Sequence, residues 1–311
     1  MKTKILITLL AIAAIAGCTI PGIPGITPGT TTIGGGQGLE MTSFTAEPST
    51  VFSGSTVRLI TEVTNEGGTN VQSSDALLFL TGSNFQAWGN TNQQRYEHFD
   101  REMKAEDVVR GIPADTKRFA LSLTAPSLTA GQTRVDTFIG RVYHEYQTSA
   151  NGNVWVYTDT EADAARTAGR ALYRPSFTYT KGPVGLQVSV SPDPIVLYGA
   201  ETNFTLYIKI SNLATGTIYY PKSVTYTSSS ENISLNSYQL NNVSVDASGT
   251  SLYIGQDCKG PQELVAGRET TLVCDVQVSP KPQTFGSNAL NVTVKYGYYT
   301  EKTASVTIQG K

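Results

Sequence analysis

Apolar and polar residues alternate in short runs along most of the chain after residue 40. In the second half the apolar positions of these runs are Val184, Leu186, Val188 and Val190, then Phe204, Leu206, Ile208 and Ile210, then Leu290, Val292, Val294 and Tyr296, and finally Ala304, Val306 and Ile308. In the first half the matching positions are Val57, Leu59, Thr61 and Val63, then Phe119, Leu121 and Leu123. A period of two places one face of a strand in a core and the other in water. The pattern predicts an all-β protein built from antiparallel sandwiches, with more mixed strands at residues 137–146 and 153–157.

The N-terminus follows a different pattern. Lys2 and Lys4 precede an apolar run at residues 5–16 that only Thr8 interrupts. This run is shorter than the roughly 20 residues needed to cross a bilayer, and it suits the apolar part of an export signal. It ends in Ile15-Ala16-Gly17-Cys18, which resembles a lipobox. We therefore expect residues 1–17 to be a lipoprotein signal peptide and Cys18 to be lipidated; the alternative is an ordinary signal peptide with a chance cysteine.

Residues 18–38 are rich in Gly, Pro and Thr. Pro lacks an N–H donor and Gly resists ordering, so this composition predicts a flexible tether. We expect the lipid at Cys18 to hold the protein on the extracellular face of the cell membrane. The rest of the chain divides near Pro183, which predicts a first sandwich at residues 39–183 and a second at residues 184–311.

An internal repeat relates these two halves. Glu47-Pro48 and Gly54 match Asp193-Pro194 and Gly199, and residues 63–67 match residues 210–212 and Gly216. Residues 128–131 match residues 264–267, and residues 142–146 match residues 294–298. The shared order is a Pro turn, a strand, an Asn-containing turn, a Leu-x-Ala-Gly turn and a Tyr-rich strand. Gly and Asn tolerate positive φ and Pro presets φ, so these residues fit turns between strands.

The Pro turn, the V-x-N-x-G and L-x-A-G motifs and the alternating strands resemble the immunoglobulin-like repeats of CARDB type over roughly residues 40–160 and 184–311. Such repeats occur in archaeal and bacterial surface proteins, including S-layer-associated ones. The resemblance implies a surface lipoprotein with two tandem immunoglobulin-like β-sandwiches and an adhesive or spacer role. It implies no catalytic residues. The first unit departs from the family pattern because it carries a long insertion with short helical segments.

That insertion spans residues 81–117. Its aromatic and imidazole side chains are the binding candidates Phe85, Trp88, Tyr96 and His98, because loops on a rigid sandwich often carry binding residues. The alternative is that these aromatic residues cover an open sheet edge. Residues 100–107 have helical composition, and an Ala-rich stretch at residues 160–171 predicts a short helix with Asp159 near its N-cap.

Composition narrows the possible partners. The chain has 311 residues, 39% of them hydrophobic, with 23 Lys and Arg against 25 Asp and Glu. This apolar content can build a core, and the absence of a basic excess argues against a nucleic-acid partner. Removal of residues 1–17 would take away two lysines and leave 21 basic against 25 acidic residues. We therefore expect contact with the membrane through the lipid, and further partners among cell-envelope proteins or polysaccharides.

Cysteines and N-x-Ser/Thr sequons also favour an extracellular location. Lipidation of Cys18 would leave Cys258 and Cys274, an even pair that predicts a disulfide in an oxidising compartment. Two buried free thiols are the alternative, and the ligand spacing of a metal site is absent. The candidate glycosylation sites, which chance could also produce in an Asn-, Ser- and Thr-rich chain, are Asn203, Asn232, Asn242 and Asn291.

Motifs that would carry chemistry are mostly missing. His144-Glu145 lacks the second His of a zinc-protease motif, and the chain has only 2 His in all. We therefore expect no enzyme, no cofactor and no metal, and predict a non-enzymatic structural or adhesive module of the envelope. Two alternatives stay open. One is a ligand-binding lipoprotein that serves a transporter; the other is a surface hydrolase that uses carboxylates of the insertion, such as Glu97, Asp100 and Glu102.

Overall fold

The computed structural model describes residues 35–89, 95–226 and 233–311. Its strands in the first half are β1 (Leu39–Glu47), β2 (Thr50–Phe52), β3 (Thr56–Asn65), β4 (Ala76–Thr81), β5 (Tyr96–His98), β6 (Thr116–Thr124), β7 (Thr133–Thr158) and β8 (Ser176–Tyr179). Those in the second half are β9 (Val184–Ser191), β10 (Ile195–Leu197), β11 (Asn203–Asn212), β12 (Thr217–Tyr219), β13 (Asn242–Gly249), β14 (Leu252–Ile254), β15 (Gly260–Glu263), β16 (Glu269–Val278) and β17 (Phe285–Gln309). The prediction of an all-β sandwich protein is confirmed.

Two cores lie between the sheets. In the first sandwich the sheet β1-β3-β6 covers a face formed by β4, β7 and β17, and Met41 and Phe44 of β1 approach Gly140 of β7. In the second sandwich β9, β11, β14 and β16 lie across from β7, β13 and β17. The apolar positions of the alternating runs fill both cores, and together they form one continuous hydrophobic cluster. The two sandwiches are therefore packed as one body.

Strands β7 and β17 join the sandwiches. They pair antiparallel over 25 consecutive residue pairs, from Tyr157 opposite Phe285 to Thr133 opposite Gln309. At about 3.3 Å per residue this two-stranded ribbon is roughly 80 Å long. Neither strand is interrupted in the middle, so each contributes one half of its length to the first sandwich and the other half to the second.

Strand pairing crosses residue 183. Strand β2 pairs with residues 307–309, and residues 133–145 of β7 pair with residues 297–309. Strand β8, which precedes residue 183, pairs with residues 150–153 beside the second core. The two sandwiches therefore exchange strand halves, because β7 and β17 each run on past the middle of the molecule.

The helical predictions had different outcomes. A single α-helix, α1 (Asp159–Thr167), lies in the described part of the chain. Its N-cap is Thr158, whose hydroxyl accepts a hydrogen bond from the Glu161 N–H at 3.3 Å, and it ends before Gly169, which has a φ of +69°. The helical expectation for residues 100–107 is wrong, because Met103 pairs with Val71 in an isolated bridge there. No helix among the described residues is long and apolar enough to cross a membrane.

Candidate functional site

The middle of the ribbon brings the repeated Tyr-rich segments together. We call residues 142–148 of β7 and 294–300 of β17 the waist. Within it residues 144–146 and 296–298, which are equivalent parts of the two repeated segments, pair with each other, and the equivalent residues Glu145 and Gly297 lie directly opposite. A local two-fold axis therefore passes through this pair, and each sandwich contributes the same segment to the junction.

In the first sandwich the waist closes the Asn-containing turn. The Asn65 side-chain amide donates to the carbonyls of Thr69 at 3.0 Å and Met103 at 2.8 Å. The backbone N–H of Thr69 in turn donates to the hydroxyl of Tyr146 at 2.9 Å. Burial raises the pKa of Tyr146, so the hydroxyl stays neutral. The turn after β3 is thus fixed to the ribbon through Tyr146.

The second sandwich repeats this arrangement around the equivalent residues Asn212 and Tyr298. The Asn212 amide donates to the carbonyls of Gly216 at 3.1 Å and Gly267 at 3.4 Å. The Gly216 N–H donates to the hydroxyl of Tyr298 at 2.6 Å, and burial raises the pKa of Tyr298 to about 12. The turn motif of the repeat therefore has the same role in both sandwiches. It fixes the end of a strand to a tyrosine of the ribbon.

The first strand of each sandwich also starts at the waist, on equivalent ribbon positions. The backbone N–H of Leu39 donates to Nε2 of His144 at 3.2 Å, and the N–H of Val184 donates to the hydroxyl of Tyr296 at 3.4 Å. His144 is fully buried, and burial lowers its pKa to about 3. The imidazole is therefore neutral, with Nε2 as acceptor and the proton on Nδ1.

A cavity of about 470 Å³ opens beside the waist. Its walls carry charges of both signs, on Asp75, Glu145, Lys222 and Lys295. The Glu145 carboxylate accepts hydrogen bonds from the Lys222 N–H at 2.5 Å and from the Tyr226 hydroxyl at 3.4 Å, while burial raises its pKa. Glu145 therefore binds the segment after β12 to the ribbon.

Tyr219 continues this network beneath the cavity. Its hydroxyl lies 2.6 Å from that of Tyr226 and donates to the carbonyl of His144 at 3.3 Å. His144-Glu145, an incomplete metal motif in the sequence, thus stabilises the junction. Among the described residues no group of three or more His, Cys, Asp and Glu side chains could hold a metal ion. The repeat of the Tyr-rich strand was the sequence signal that could have located this site.

The binding candidates of the insertion do not form an exposed surface. Phe85, Trp88 and Tyr96 are buried, and only His98 is exposed. Trp88 packs edge-to-face on Phe138 of β7 with ring centroids 5.1 Å apart, and its indole N–H donates to Asp136 at 2.6 Å. Phe85 and Trp88 therefore lie in the core of the first sandwich, and Tyr96 stacks on Phe79 of β4.

The cysteine prediction is confirmed, since Cys258 and Cys274 form a disulfide with Cα atoms 5.8 Å apart. Among the sequons, Asn203 is exposed at the start of β11 and Asn242 is half-buried. Asn291 is exposed on β17, and its amide donates to the side-chain oxygen of Asn151. Cys18 and Asn232 lie outside the described residues.

Comparisons with known proteins give only distant likenesses. No protein-family model matches the chain, and no curated protein matches it. An alignment with a mutant Salmonella alpha-2-macroglobulin covers 88% of this chain and 16% of that protein, at 9% identity and a TM-score of 0.24. Red sea bream transglutaminase aligns with 88% of this chain and 31% of its own, at 10% identity and a TM-score of 0.20.

An alignment with the Yersinia pseudotuberculosis adhesin InvE covers 87% of this chain and 60% of the adhesin chain, at 11% identity and a TM-score of 0.19. This chain thus spans less than two thirds of the length of each of these three proteins. At such low TM-scores none of the likenesses supports an argument about function.

Proposed function

We propose that this protein is a non-enzymatic structural or adhesive module of the cell envelope, held on the extracellular face of the membrane by a lipid on Cys18. The lipobox-like residues 15–18 and the Gly-, Pro- and Thr-rich segment after them support export and tethering. The disulfide between Cys258 and Cys274 supports an oxidising location.

The observation that carries the proposal is the unbroken ribbon of β7 and β17. Sandwich domains joined by a single linker rotate relative to each other unless a large interface holds them. Here a bend at the waist would have to break ladder hydrogen bonds between two strands that pair over 25 residues. The bonds from Thr69 to Tyr146 and from Gly216 to Tyr298 add to this stiffness on either side. A rigid body of this kind suits a spacer or an adhesive element, which must hold a fixed length.

The tether joins the molecule at the waist. Gly38 accepts a hydrogen bond from the Glu66 N–H at 2.8 Å, Gly35 pairs with Gly182, and β1 begins at Leu39 beside His144. Because Gly35 already pairs with the body, the 16 residues 19–34 would span about 50 Å if extended. The proposed lipid would therefore hold the body at mid-length and leave both sandwiches accessible.

Fractionation of the producing cells tests the tether. We expect the protein in the membrane pellet after a high-salt wash and in the soluble fraction after detergent, because a lipid and not charge holds it. Cys18→Ala should move it to the medium, whereas the neighbouring Thr19→Ala should leave it in the pellet. Retention of Cys18→Ala in the membrane would contradict lipid attachment.

A further inference from the structure

The second sandwich has an open sheet surface whose central row is uncharged. Strand register places Thr178 of β8, Asn151 of β7, Asn291 of β17 and Ser248 of β13 in one row across four adjacent strands. The alternation that buries Ala150 and Val292 turns these side chains outward, and all four are exposed. We call this surface, with the outward residues of the neighbouring rows, the polar face.

Hydrogen bonds within the polar face hold its side chains in place. The Asn291 amide donates to the side-chain oxygen of Asn151. The Thr293 hydroxyl donates to the Asn291 oxygen at 3.0 Å and lies 3.1 Å from the Ser149 hydroxyl. Each amide has two N–H donors and an oxygen with two lone pairs, so these bonds leave it able to bond a ligand as well. The rows therefore present fixed donors and acceptors at strand spacing.

A cluster of two exposed aromatic residues and the half-buried Trp155 borders the polar face. Trp155 lies outward on β7, in the same alternation as Asn151, and its ring centroid is 4.7 Å from that of Tyr173 and 6.3 Å from that of Phe285. Tyr173 is 63% exposed and Phe285 is 48% exposed. The backbone N–H of Tyr173 donates to the Tyr157 hydroxyl at 2.9 Å, which fixes the segment after α1 over the sheet. Flat apolar rings thus stand directly beside the amide rows.

The chemistry of this surface identifies one class of partner. Shallow depressions of about 430 and 350 Å³ lie on the two sides of Asn151 and Gly152, and no charged side chain lines either of them. Asp246 lies in the next row, opposite Thr293, and Lys295 lies one row further toward the waist. Arg174, next to Tyr173, pairs with Asp193 at 3.7 Å. A surface whose central row lacks cations does not strongly attract a polyanion. A sugar ring has an apolar C–H face that packs on an aromatic ring and a rim of hydroxyls that bond amides.

We propose that the polar face and its aromatic cluster bind a neutral polysaccharide. Sugar rings stack on Trp155, Tyr173 and Phe285, and the following sugars bond the amides and hydroxyls along β7 and β17. This inference rests on the proposed function in one respect, since it names the partner that the envelope module would hold. The binding itself does not require the lipid.

Binding of the full chain to soluble polysaccharides tests the proposal. The neutral probes are a mixed-linkage β-glucan, galactomannan and chitin oligomers, and the anionic probes are alginate and heparin, measured by affinity electrophoresis and calorimetry. We expect at least one neutral probe to bind, with an affinity that is the same in 50 and 500 mM salt. Binding of no neutral probe, or binding of the anionic probes alone, would overturn the proposal.

Single variants locate the binding surface. Tyr173→Ser should raise the dissociation constant about tenfold, a change of about 1.4 kcal/mol, and Asn153→Ala, on the exposed side of β7, should also raise it. The matched control is Tyr253→Ser, which removes a 67% exposed tyrosine from β14 in the opposite sheet. Equal affinity of Tyr173→Ser, Asn153→Ala and the control, with unchanged circular dichroism, would refute the assignment.

The two proposals fail separately. A chain that stays in the membrane pellet but binds no neutral polysaccharide would contradict only this inference. A chain that binds polysaccharide through Tyr173 but is found in the medium without Cys18 modification would contradict only the lipid tether.

Discussion

The two halves of the waist bind the first strand of their sandwiches with different side chains. In each sandwich the first strand starts at a ribbon position that accepts its leading N–H, which is His144 for Leu39 and Tyr296 for Val184. Both acceptors are buried and neutral, but burial lowers the pKa of His144 to about 3 and raises that of Tyr296. The fold therefore requires a hydrogen-bond acceptor at this ribbon position and not a particular residue. In the first sandwich the acceptor is His144, whose imidazole can take up a proton.

The halves differ again at the two-fold axis. Gly297 lies under the ring of Tyr219, which occupies the space that a Cβ atom would need. Its counterpart Glu145 has a long side chain that accepts hydrogen bonds from Lys222 and Tyr226. The segment after β12 thus crosses the waist on one side only, and it breaks the symmetry that the repeat would otherwise give.

The largest effect is expected from Gly297→Ala. The new methyl group would overlap the Tyr219 ring at the center of the ribbon, so we expect the free energy of unfolding to fall by about 3 kcal/mol. Gly286→Ala is the matched control on the same strand, since its Cβ would meet only Pro282 at 3.5 Å. Urea unfolding of both variants measures the difference, and equal stability of the two would show that Tyr219 does not need this glycine.

Loss of the disulfide should have a slightly smaller effect, and it should act on the second sandwich. The bridge closes a loop with a sequence separation of 16 residues, for which chain entropy gives about 3 kcal/mol or less. We expect Cys258→Ser with Cys274→Ser to lower the unfolding free energy by that amount. Hydrogen exchange should speed up in β14 and β16 before β3 and β6. Unchanged exchange in β16 would contradict this expectation.

Acid should distinguish His144 from Tyr296. The folded pKa of about 3 lies below the unfolded value near 6.5, so the unfolded chain takes up the proton first. Stability should therefore fall as the pH drops below about 6.5, by about 1.4 kcal/mol per pH unit and about 2 kcal/mol by pH 5. His144→Gln keeps an acceptor for Leu39 and should lose this slope. Parallel pH profiles of the variant and the wild type would disprove the assignment.

Much of the sheet could be predicted from local pattern, because alternation depends only on which face of each strand is buried. The runs at 204–210 and 290–296 are strands with their apolar positions in the core. The predicted break between residues 146 and 153 was wrong, since β7 continues through it. Asn151-Gly152 resembles a hairpin turn in sequence, but Gly152 lies in the ladder, where β8 leaves no room for a side chain.

The candidate site was less accessible to sequence reasoning. The repeat located the Tyr-rich strands, but nothing local reveals that residues 144–146 pair with residues 296–298 and not within their own halves. The aromatic residues of the insertion were ambiguous for a similar reason. Trp88 is buried because it packs on Phe138 of β7 and donates a hydrogen bond to Asp136 of the same strand. These contacts depend on tertiary packing. Trp155, in contrast, shares the outward alternation of Asn151 and could have been placed on the surface.

The exchange of strand halves has a consequence for the order in which the chain can fold. The first sandwich contains residues 297–309, which pair with β2 and with the start of β7. During synthesis the N-terminal residues emerge first, yet their sheet stays incomplete until these late residues are made. An edge of β7 would therefore stay unpaired in a nascent chain from the synthesis of Thr158 until that of β17, which begins at Phe285. Truncation after residue 296 would therefore damage the half of the molecule that is made first.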